Sequence, residues 1–423
     1  MGPSKPGDTP IEALALHARA AANAGNWAEA ERLWREVHRL DPANPQALFS
    51  LGVHAMQRRD FPEALKLIER ACVASPNDVL ARITLGVVRR ELGDVNGELA
   101  AVDAALAIDP YALPALLAKA AWYERQGEAV MAARYYGIAV KFAPPKAHWP
   151  EALRGQLEHA AAVADEHART LEARLLASMQ EALSSLPRAV QERWRESASI
   201  VAGRTQPYNS SSNQLHVARL PAVPFFDANE FPWAAALEAK TDAIRAELAV
   251  ALQKFPDRFA PYVDYKAGAP TNQWRDLNKS QRWSAFQLWR NGAPVEANLE
   301  ACPETAEALR QVEMAEMAGL CPNAMFSALA PHTHIPPHTG ETNARIVAHL
   351  PLIVPDKCSY RVGYEHRRWE VGKLLVFDDT LDHEARNDSD ELRVVLIFDI
   401  WNPYLSPPER EAARKMMEAL RAP

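Results

Sequence analysis

The chain has 423 residues, of which 48% are hydrophobic and 24% charged, and its formal net charge is -7. This length predicts two or three domains, and the acidic balance argues against a nucleic-acid-binding protein, whose domain is usually basic. No stretch of about 18 apolar residues is present, and the first residues lack the apolar run of a signal peptide. We therefore expect a cytoplasmic protein without a membrane span.

The four cysteines are widely separated: Cys72, Cys302, Cys321 and Cys358. They form no CxxC pair, so neither a structural zinc site nor a disulfide framework is expected. Reduced thiols are the ordinary state of cysteines inside a cell. One disulfide, between Cys302 and Cys321, stays open as an alternative.

The first third of the chain repeats every 34 residues. Prolines and small residues recur at this interval, at Pro42, Pro76, Pro110 and Pro144, and at Ala18, Gly52, Gly86 and Ala120. Small residues where two helices cross, with proline after the second helix, are typical of tetratricopeptide repeats. We predict an all-α solenoid of four units over residues 11–145. Glu98 departs from the pattern, because a small residue is expected at its position in the third unit.

Tetratricopeptide arrays form a concave surface that commonly binds a peptide or a partner protein. We predict that this array docks a peptide or protein substrate, and the alternative is a spacer or dimerisation device. Residues 146–214 are expected to form a helical connector and linker. A helix is predicted over 148–185, and the polar stretch GRTQPYNSSSNQ at 203–214 is predicted to be a loop.

Residues 215–423 alternate helical and β-rich segments. Helices are predicted over 232–253 and over the closing stretch 407–422. Strands are predicted from short β-branched or aromatic runs bounded by Gly, Pro or Asp, at 344–354, 360–371, 373–379 and 391–401. Their spacing and turn signals favour an all-β core, either a sandwich or a barrel.

Two histidines of this region, His338 and His383, each lie at a predicted strand end beside a turn. In a jelly roll, strand ends that are distant in sequence meet at the mouth of the barrel, where iron(II) oxygenases hold their metal with two histidines and a carboxylate. Arg393 follows on the apolar strand LRVVLIF. A buried arginine needs a carboxylate partner, and a dicarboxylate cosubstrate would supply one.

Residues 215–408 resemble the aspartyl/asparaginyl β-hydroxylases, which are iron(II)- and 2-oxoglutarate-dependent dioxygenases. The motifs that carry the resemblance are LPAVPFFDANEFPW, WSAFQLWRNG, HTHIPPHTGETN, HLPLIVP, WEVGKLLVFDDTLDHEARN and RVVLIFDIWNP. Animal members of the family also carry tetratricopeptide repeats before the catalytic domain. The resemblance implies a double-stranded β-helix (jelly-roll) catalytic domain with flanking helices over 215–423, after the solenoid.

The resemblance also implies a cofactor site. His338 and His383 match the two iron(II) ligands, and Gly340 stands where other enzymes have a carboxylate ligand, so that water fills this position. Arg393 and Ser327 match the residues that hold the far carboxylate of 2-oxoglutarate.

The remaining site residues concern the other end of the cosubstrate and the substrate. His349 matches the histidine near that other end, and Arg345 matches an arginine that faces the substrate. Trp283 is a candidate for the substrate wall, with a place in the core as the alternative. Asp379 or Asp382 is expected to orient an imidazole, and a direct bond from Asp378 or Asp379 to the metal is the alternative.

The expected substrate is an aspartyl or asparaginyl residue in a peptide or protein, hydroxylated at its β-carbon. Val347 departs from the family, whose animal members have a second arginine at this position, and this puts the identity of the substrate in doubt. Two alternatives stay open: hydroxylation of a free amino acid or small metabolite, and a non-catalytic tetratricopeptide adaptor.

Overall fold

The computed structural model describes residues 10–421. The chain divides into two compact units, the first ending at Gln180 and also taking in Val201–Arg204, the second formed by Glu181–Ile200 and the residues from Thr205 onward. Among the described residues, no helix is both long and apolar enough to cross a membrane.

The repeats form eight helices of 13 or 14 residues: α1 (Pro10–Asn23), α2 (Trp27–Leu40), α3 (Pro45–Gln57), α4 (Phe61–Ala74), α5 (Val79–Glu91), α6 (Val95–Ile108), α7 (Leu113–Arg125) and α8 (Ala129–Phe142). Consecutive helices pack in pairs. A Cβ atom on Gly52 would lie 2.5 Å from Ile68 Cδ1, and one on Gly86 would lie 3.1 Å from Val102 Cγ2. The prediction that small residues allow close helix crossings is confirmed.

The turns inside the units have a common construction. The residue before the second helix caps it in three of the units, since Asn26, Asp60 and Asp94 each accept a hydrogen bond from the backbone N–H three positions on. The preceding residue has a positive φ in these units, 74° at Gly25, 63° at Arg59 and 78° at Gly93. Glycine adopts this conformation without steric cost, which explains its recurrence at this point of the repeat.

Glu98, the exception in the repeat pattern, is buried in α6 with 6% of its surface exposed. Arg125 of α7 donates from Nη2 to Glu98 Oε1 over 2.5 Å. A buried carboxylate requires such a partner. Arg125 of the fourth unit therefore compensates the charge of Glu98, which replaces the expected small residue in the third unit.

Two further helices follow, α9 (Arg154–Leu183) and α10 (Arg188–Val201). The predicted helix over 148–185 begins later than expected, after two short 3-10 turns. In the first unit, Leu157 and Ala160 of α9 are fully buried against the last pair of repeat helices. The start of α9 therefore covers the end of the array.

The second unit contains α11 (Ala234–Ala239), α12 (Thr241–Lys254), α13 (Glu296–Ala301), α14 (Pro303–Arg310) and α15 (Pro407–Arg421). Its strands are β1 (Phe225–Phe226), β2 (Ala260–Pro261), β3 (Trp283–Arg290), β4 (Ala293–Pro294), β5 (Ala324–Leu329), β6 (Thr333–His338), β7 (Arg345–Ile353), β8 (Cys358–Val362), β9 (Glu365–Arg367), β10 (Leu375–Phe377), β11 (His383–Asn387) and β12 (Arg393–Trp401). The predicted helix over 232–253 is divided at Lys240, and the predicted strand over 360–371 is the hairpin β8–β9.

The strands form two sheets. The larger has the order β1-β10-β7-β12-β5-β3-β2, with β4 paired to β3, and the smaller has the order β6-β11-β8-β9. All neighbours are antiparallel. The β-rich core predicted for this region is therefore present.

Strand alternation decides which side chains face the space between the sheets, because successive residues of a strand point to opposite faces. On β7, Ile346 and Ala348 pack with helices α12 and α14 in one apolar core. The residues between and beside them, Arg345, Val347 and His349, instead line a cavity. The same alternation on β5 and β12 turns further polar residues toward that cavity.

All four cysteines are buried free thiols. The alternative of a disulfide between Cys302 and Cys321 is therefore wrong. The predicted loop 203–214 contains no helix or strand. Its Ser211 N–H donates to Thr380 O and its Gln214 N–H donates to Glu341 O, so these residues lie against the β-rich region.

Candidate functional site

One cavity of about 570 Å³ lies on the inner face of the larger sheet and reaches the smaller sheet. All seven predicted site residues line it: Trp283, Ser327, His338, Arg345, His349, His383 and Arg393. They come from six strands, and the first and last of them, Trp283 and Arg393, are 110 residues apart in the sequence. The sheet topology thus gathers residues that the sequence only suggests belong together.

His338 and His383 lie directly opposite each other, at the end of β6 and the start of β11. Their ring centroids are 4.0 Å apart. His338 Nδ1 is 2.8 Å from Pro336 O, and His383 Nδ1 is 3.0 Å from Leu381 O. A carbonyl only accepts, so each Nδ1 carries the proton and each Nε2 keeps a lone pair suited to a metal.

Both imidazoles are held neutral. Burial lowers the pKa of His338 to about 3, with a further contribution from the neighbouring His383. Burial also lowers the pKa of His383 to about 4. Neutral imidazole is the form that binds a metal, so at neutral pH neither ring has to lose a proton first.

Backbone carbonyls orient His383, that of Leu381 at 3.0 Å from Nδ1 and also that of Asp379. The expectation that the carboxylate of Asp379 or Asp382 would do so is not met among residues 10–421. Asp382 instead accepts from Arg361 over 2.8 Å. Among the described residues, no group of three His, Cys, Asp or Glu side chains is arranged to bind a metal. The two histidines therefore stand without a third protein ligand.

Asp379 occupies the space beside Gly340. A Cβ atom on Gly340 would lie 2.1 Å from Asp379 Oδ2 and 2.6 Å from Asp379 Oδ1. Gly340 N–H also donates to the Asp379 backbone carbonyl over 2.7 Å. Only glycine leaves room for this carboxylate next to His338.

Arg345, predicted to face the substrate, is engaged by carboxylates. Its Nη1 donates to Asp379 Oδ2 over 2.6 Å, its Nε is 3.2 Å from Asp399 Oδ1, and its Nη2 is 3.7 Å from Glu341 Oε2. Burial opposes the charge of Arg345, but Asp379 and Asp399 outweigh it and raise the pKa of Arg345 above its ordinary value. Little of its charge is left for an anionic substrate.

Arg393 has the opposite environment. It is 1% exposed, and no carboxylate of the described chain pairs with it. Its Nη1 donates to the Ser327 backbone carbonyl over 3.4 Å, while its Nε has no hydrogen-bond partner within residues 10–421. Burial lowers the pKa of Arg393 to about 10, which still leaves it charged at neutral pH. A buried, unpaired cation at the wall of a cavity calls for an anionic ligand.

Ser327 and His349 flank Arg393, and a tryptophan donates to each of them. Trp283 Nε1 donates to Ser327 Oγ over 3.1 Å, and Trp369 Nε1 donates to His349 Nδ1 over 3.2 Å. Sequence reasoning missed Trp369, which lies between strands and gives no periodic signal. It also missed Asp399, although strand alternation puts Asp399 on the same face of β12 as Arg393.

Aromatic rings cover one side of the histidine pair. The Trp274 ring centroid is 4.9 Å from that of His338, and Trp283 stacks on Tyr262 with centroids 4.0 Å apart. Trp283 lines the cavity and is also 95% buried. It therefore has both of the roles that were expected as alternatives, a place in the cavity wall and a place in the core.

A histidine pair with free Nε2 atoms, backed by a buried cation, defines a candidate metal and anion site in a β-rich unit. The family model of aspartyl/asparaginyl β-hydroxylase matches residues 238–403, and a tetratricopeptide repeat model matches residues 16–79. The ornithine lipid ester-linked acyl 2-hydroxylase of Rhizobium tropici is 37% identical over 201 residues, which are 47% of this chain and 67% of that protein. The chain belongs to the aspartyl/asparaginyl β-hydroxylase family, and the relatives that are named as enzymes are hydroxylases.

Other relatives match over a smaller share of their length. The aspartyl/asparaginyl β-hydroxylase of Mus musculus is 37% identical over 139 residues, and this chain spans only 18% of that protein. The aspartate β-hydroxylase domain-containing protein 2 of Homo sapiens is 32% identical over 196 residues, 46% of this chain and 51% of that protein.

Among solved structures, the chain is similar to MamA, with 18% identity and a TM-score of 0.31 over 42% of this chain and 96% of that one. It is also similar to the tetratricopeptide domain of Arabidopsis OM64, with 20% identity and a TM-score of 0.26 over 27% of this chain and 95% of that one.

Proposed function

We propose that the second unit is a jelly-roll hydroxylase that depends on iron(II) and 2-oxoglutarate, and that it acts in the cytoplasm. The observation that carries the proposal is Arg393, a buried cation without a carboxylate partner in the described chain, on the same cavity as His338 and His383. A dicarboxylate cosubstrate supplies the missing anion, and the two free Nε2 atoms supply metal ligands. The interleaved order of the two sheets supports the jelly roll.

The residues present fit both groups. His338 and His383 would hold iron(II), and Arg393 with the hydroxyl of Ser327 would hold the far carboxylate of 2-oxoglutarate. His349, 5% exposed, would contact its other end. Bound together, iron(II) and 2-oxoglutarate activate dioxygen for the hydroxylation of an unactivated C–H bond.

The chain contributes orientation and exclusion of water. The carbonyls of Pro336 and Leu381 fix the two imidazoles so that their Nε2 atoms face the cavity. The rings of Trp274 and Trp283 shield His338 from solvent on one side. Neither role requires a catalytic acid or base from the protein.

For the substrate, we propose an aspartyl or asparaginyl residue of a peptide or protein that the repeats dock. The tetratricopeptide array supports a protein partner, and for this substrate neither a nucleic acid nor a membrane is proposed as a partner. Between the two target residues, asparagine fits the cavity better, because Asp379 and Asp399 already engage Arg345 and Val347 brings no charge. A substrate carboxylate would meet two buried carboxylates there.

A second candidate substrate is an acyl chain. Val347, Met325 and Ile397 give the cavity an aliphatic wall, and the Rhizobium tropici relative is named as an acyl 2-hydroxylase of an ornithine lipid. Aliphatic lining suits a hydrocarbon at the reacting carbon. Adding vesicles with ornithine lipid, or asparagine-containing peptides, to separate reactions distinguishes the two candidates by which one increases succinate formation.

The test of the proposed function measures conversion of 2-oxoglutarate to succinate by the purified protein with iron(II). We expect about one iron(II) bound per chain, and we expect His338→Ala and His383→Ala each to abolish iron binding and succinate formation. His332→Ala is the matched control, because His332 is an exposed histidine paired with Asp390. Full activity in either ligand variant would refute the assignment.

A further inference from the structure

Trp369 contacts two of the residues proposed to bind the cosubstrate. It lies between β9 and β10 and is 6% exposed. Its Nε1 donates to His349 Nδ1 over 3.2 Å, and its ring face lies 4.8 Å from Arg393 Cζ. One buried side chain is thus joined to both His349 and Arg393, which are 44 residues apart in the sequence.

The hydrogen bond determines where the His349 proton is. An indole N–H donates and never accepts, so His349 Nδ1 must present a lone pair to Trp369. Burial lowers the pKa of His349 well below its ordinary value, so the ring is neutral and carries one proton. That proton is on Nε2. No acceptor for it is found among residues 10–421, and His349 lines the cavity, so the Nε2–H group is a donor available to a ligand.

The ring face of Trp369 stacks on the guanidinium of Arg393. A guanidinium stacks on an indole through a cation–π interaction, which is stronger where water is excluded. Arg393 is 1% exposed, and no hydrogen-bond partner for its Nε is found in the described part of the chain. The stacking on Trp369 and the long contact with the Ser327 carbonyl therefore contribute to its orientation. Removing the indole would leave the guanidinium less constrained.

We propose that Trp369 is a positioning residue that holds His349 in its Nε2–H tautomer and orients Arg393 by stacking, so that both present hydrogen-bond donors to the cosubstrate. The role toward 2-oxoglutarate rests on the proposed function. The tautomer does not, since it follows from the hydrogen bond alone. Two neighbouring donor groups, one of them cationic, favour an anionic ligand over a neutral one.

The tautomer is tested first, without any ligand. Long-range ¹H–¹⁵N correlation spectra of histidine-labelled, metal-free protein identify the protonated nitrogen of each neutral ring, and His349→Gln assigns the signal. We expect His349 to be protonated on Nε2 in the wild type. A wild-type ring protonated on Nδ1 would overturn the proposal, because Trp369 could not then donate to it.

The second test measures binding of 2-oxoglutarate by calorimetry to the full chain loaded with Mn(II) in place of iron. Trp369→Phe keeps an aromatic face and removes the N–H donor, and we expect binding to weaken about three- to tenfold. Trp369→Leu also removes the stacking partner of Arg393, and a further loss of about threefold or more is expected. Trp233→Phe is the control, since Trp233 packs against Phe398 outside the cavity.

The double variants separate positioning from a general structural effect. In a His349→Ala background, Trp369→Phe should change 2-oxoglutarate binding little, because its N–H acts through His349. Equal losses in the two backgrounds, or no loss in the wild-type background, would overturn the proposal. If the wild type itself fails to bind 2-oxoglutarate, the proposed function fails, and the tautomer measurement still decides the hydrogen bond.

Discussion

Arg393 is the residue whose environment is hardest to explain without a ligand, since it is a fully buried cation with no carboxylate partner in the described chain. We predict that Arg393→Ala weakens 2-oxoglutarate binding at least about tenfold. Losing one partner of a buried charge pair costs about 2–5 kcal/mol, and about 1.4 kcal/mol corresponds to tenfold. The measurement is the apparent affinity for 2-oxoglutarate from succinate formation.

The control for that variant is Arg386→Ala on β11, because Arg386 has 45% of its side chain exposed and only a weak ion pair with Glu384. Thermal unfolding of both variants shows whether any loss of binding reflects loss of the fold. Unchanged 2-oxoglutarate kinetics in folded Arg393→Ala protein would remove Arg393 from the cosubstrate site.

Gly340 gives the second prediction at this scale. A Cβ atom there would lie 2.1 Å from Asp379 Oδ2, and Arg345 holds that carboxylate in place. Gly340→Asp should therefore not create a useful third metal ligand, and both Gly340→Asp and Gly340→Ala should lose activity. Overpacking of this kind costs about 1–3 kcal/mol. Succinate formation and thermal unfolding are the measurements.

Gly155→Ala is the matched control for Gly340, since a Cβ atom there meets nothing within 4 Å. The double variant Gly340→Ala, Asp379→Ala should be less destabilised than the sum of its single variants, because the clashing carboxylate is gone. A Gly340→Asp enzyme faster than wild type would contradict the two-histidine arrangement.

The sequence predicted which residues approach the cavity but not what they contact. Residues at alternating positions of β7 and β12 share a face, so Arg345, His349 and Arg393 could be found from the pattern. The partners of Arg345 could not, because Asp379 comes from the turn before β11 and Asp399 from the far end of β12. Pairing between distant segments depends on strand order, which a single sequence does not reveal.

At the scale of elements, the repeat helices were the most predictable part and the short strands the least. The 34-residue period recurs four times and marks eight helices. In contrast, β1, β2 and β4 are two residues long and leave no periodic pattern. The division of the predicted helix at Lys240 was also missed, because α11 and α12 are both rich in Ala. Tertiary packing, rather than helix propensity, decides that break.

The helix crossing in the second repeat gives the prediction for this scale. Gly52→Ala puts a Cβ atom 2.5 Å from Ile68 Cδ1 and 2.7 Å from Ile68 Cγ1, and Ile68 is fully buried. We expect a loss of about 1–3 kcal/mol in the stability of the repeats, measured by denaturant unfolding followed by circular dichroism.

Gly137→Ala on α8 is the control, because its nearest neighbour would be 3.9 Å away. Combining Gly52→Ala with Ile68→Ala should cost less than the two changes added together, since the new methyl group enters the space that Ile68 leaves. Additive losses would mean that the crossing is not as close as the structure describes.

At the scale of the whole molecule, the division into units determines where the repeats can be removed. Leu157 and Ala160 are fully buried against α7 and α8, so a protein starting near residue 147 would expose them. A protein starting at Glu181 retains the whole second unit, including the candidate site. Of the first unit, it retains only Val201–Arg204. Removal of residues 1–180 is therefore the sharper experiment.

If the repeats dock the substrate protein, the shortened protein should keep the catalytic activity of the site but bind the full-length substrate protein less tightly. Docking presents the target residue at an effective concentration of about millimolar without new contacts at the site. We expect slow turnover of 2-oxoglutarate without substrate to persist, and activity on a short peptide at high concentration to be retained. Activity on a full-length substrate protein should fall at least about tenfold, through a raised KM rather than a lower kcat. Equal kinetics of shortened and intact protein on that substrate would refute docking, whereas loss of the substrate-independent turnover as well would mean that the repeats stabilise the second unit instead.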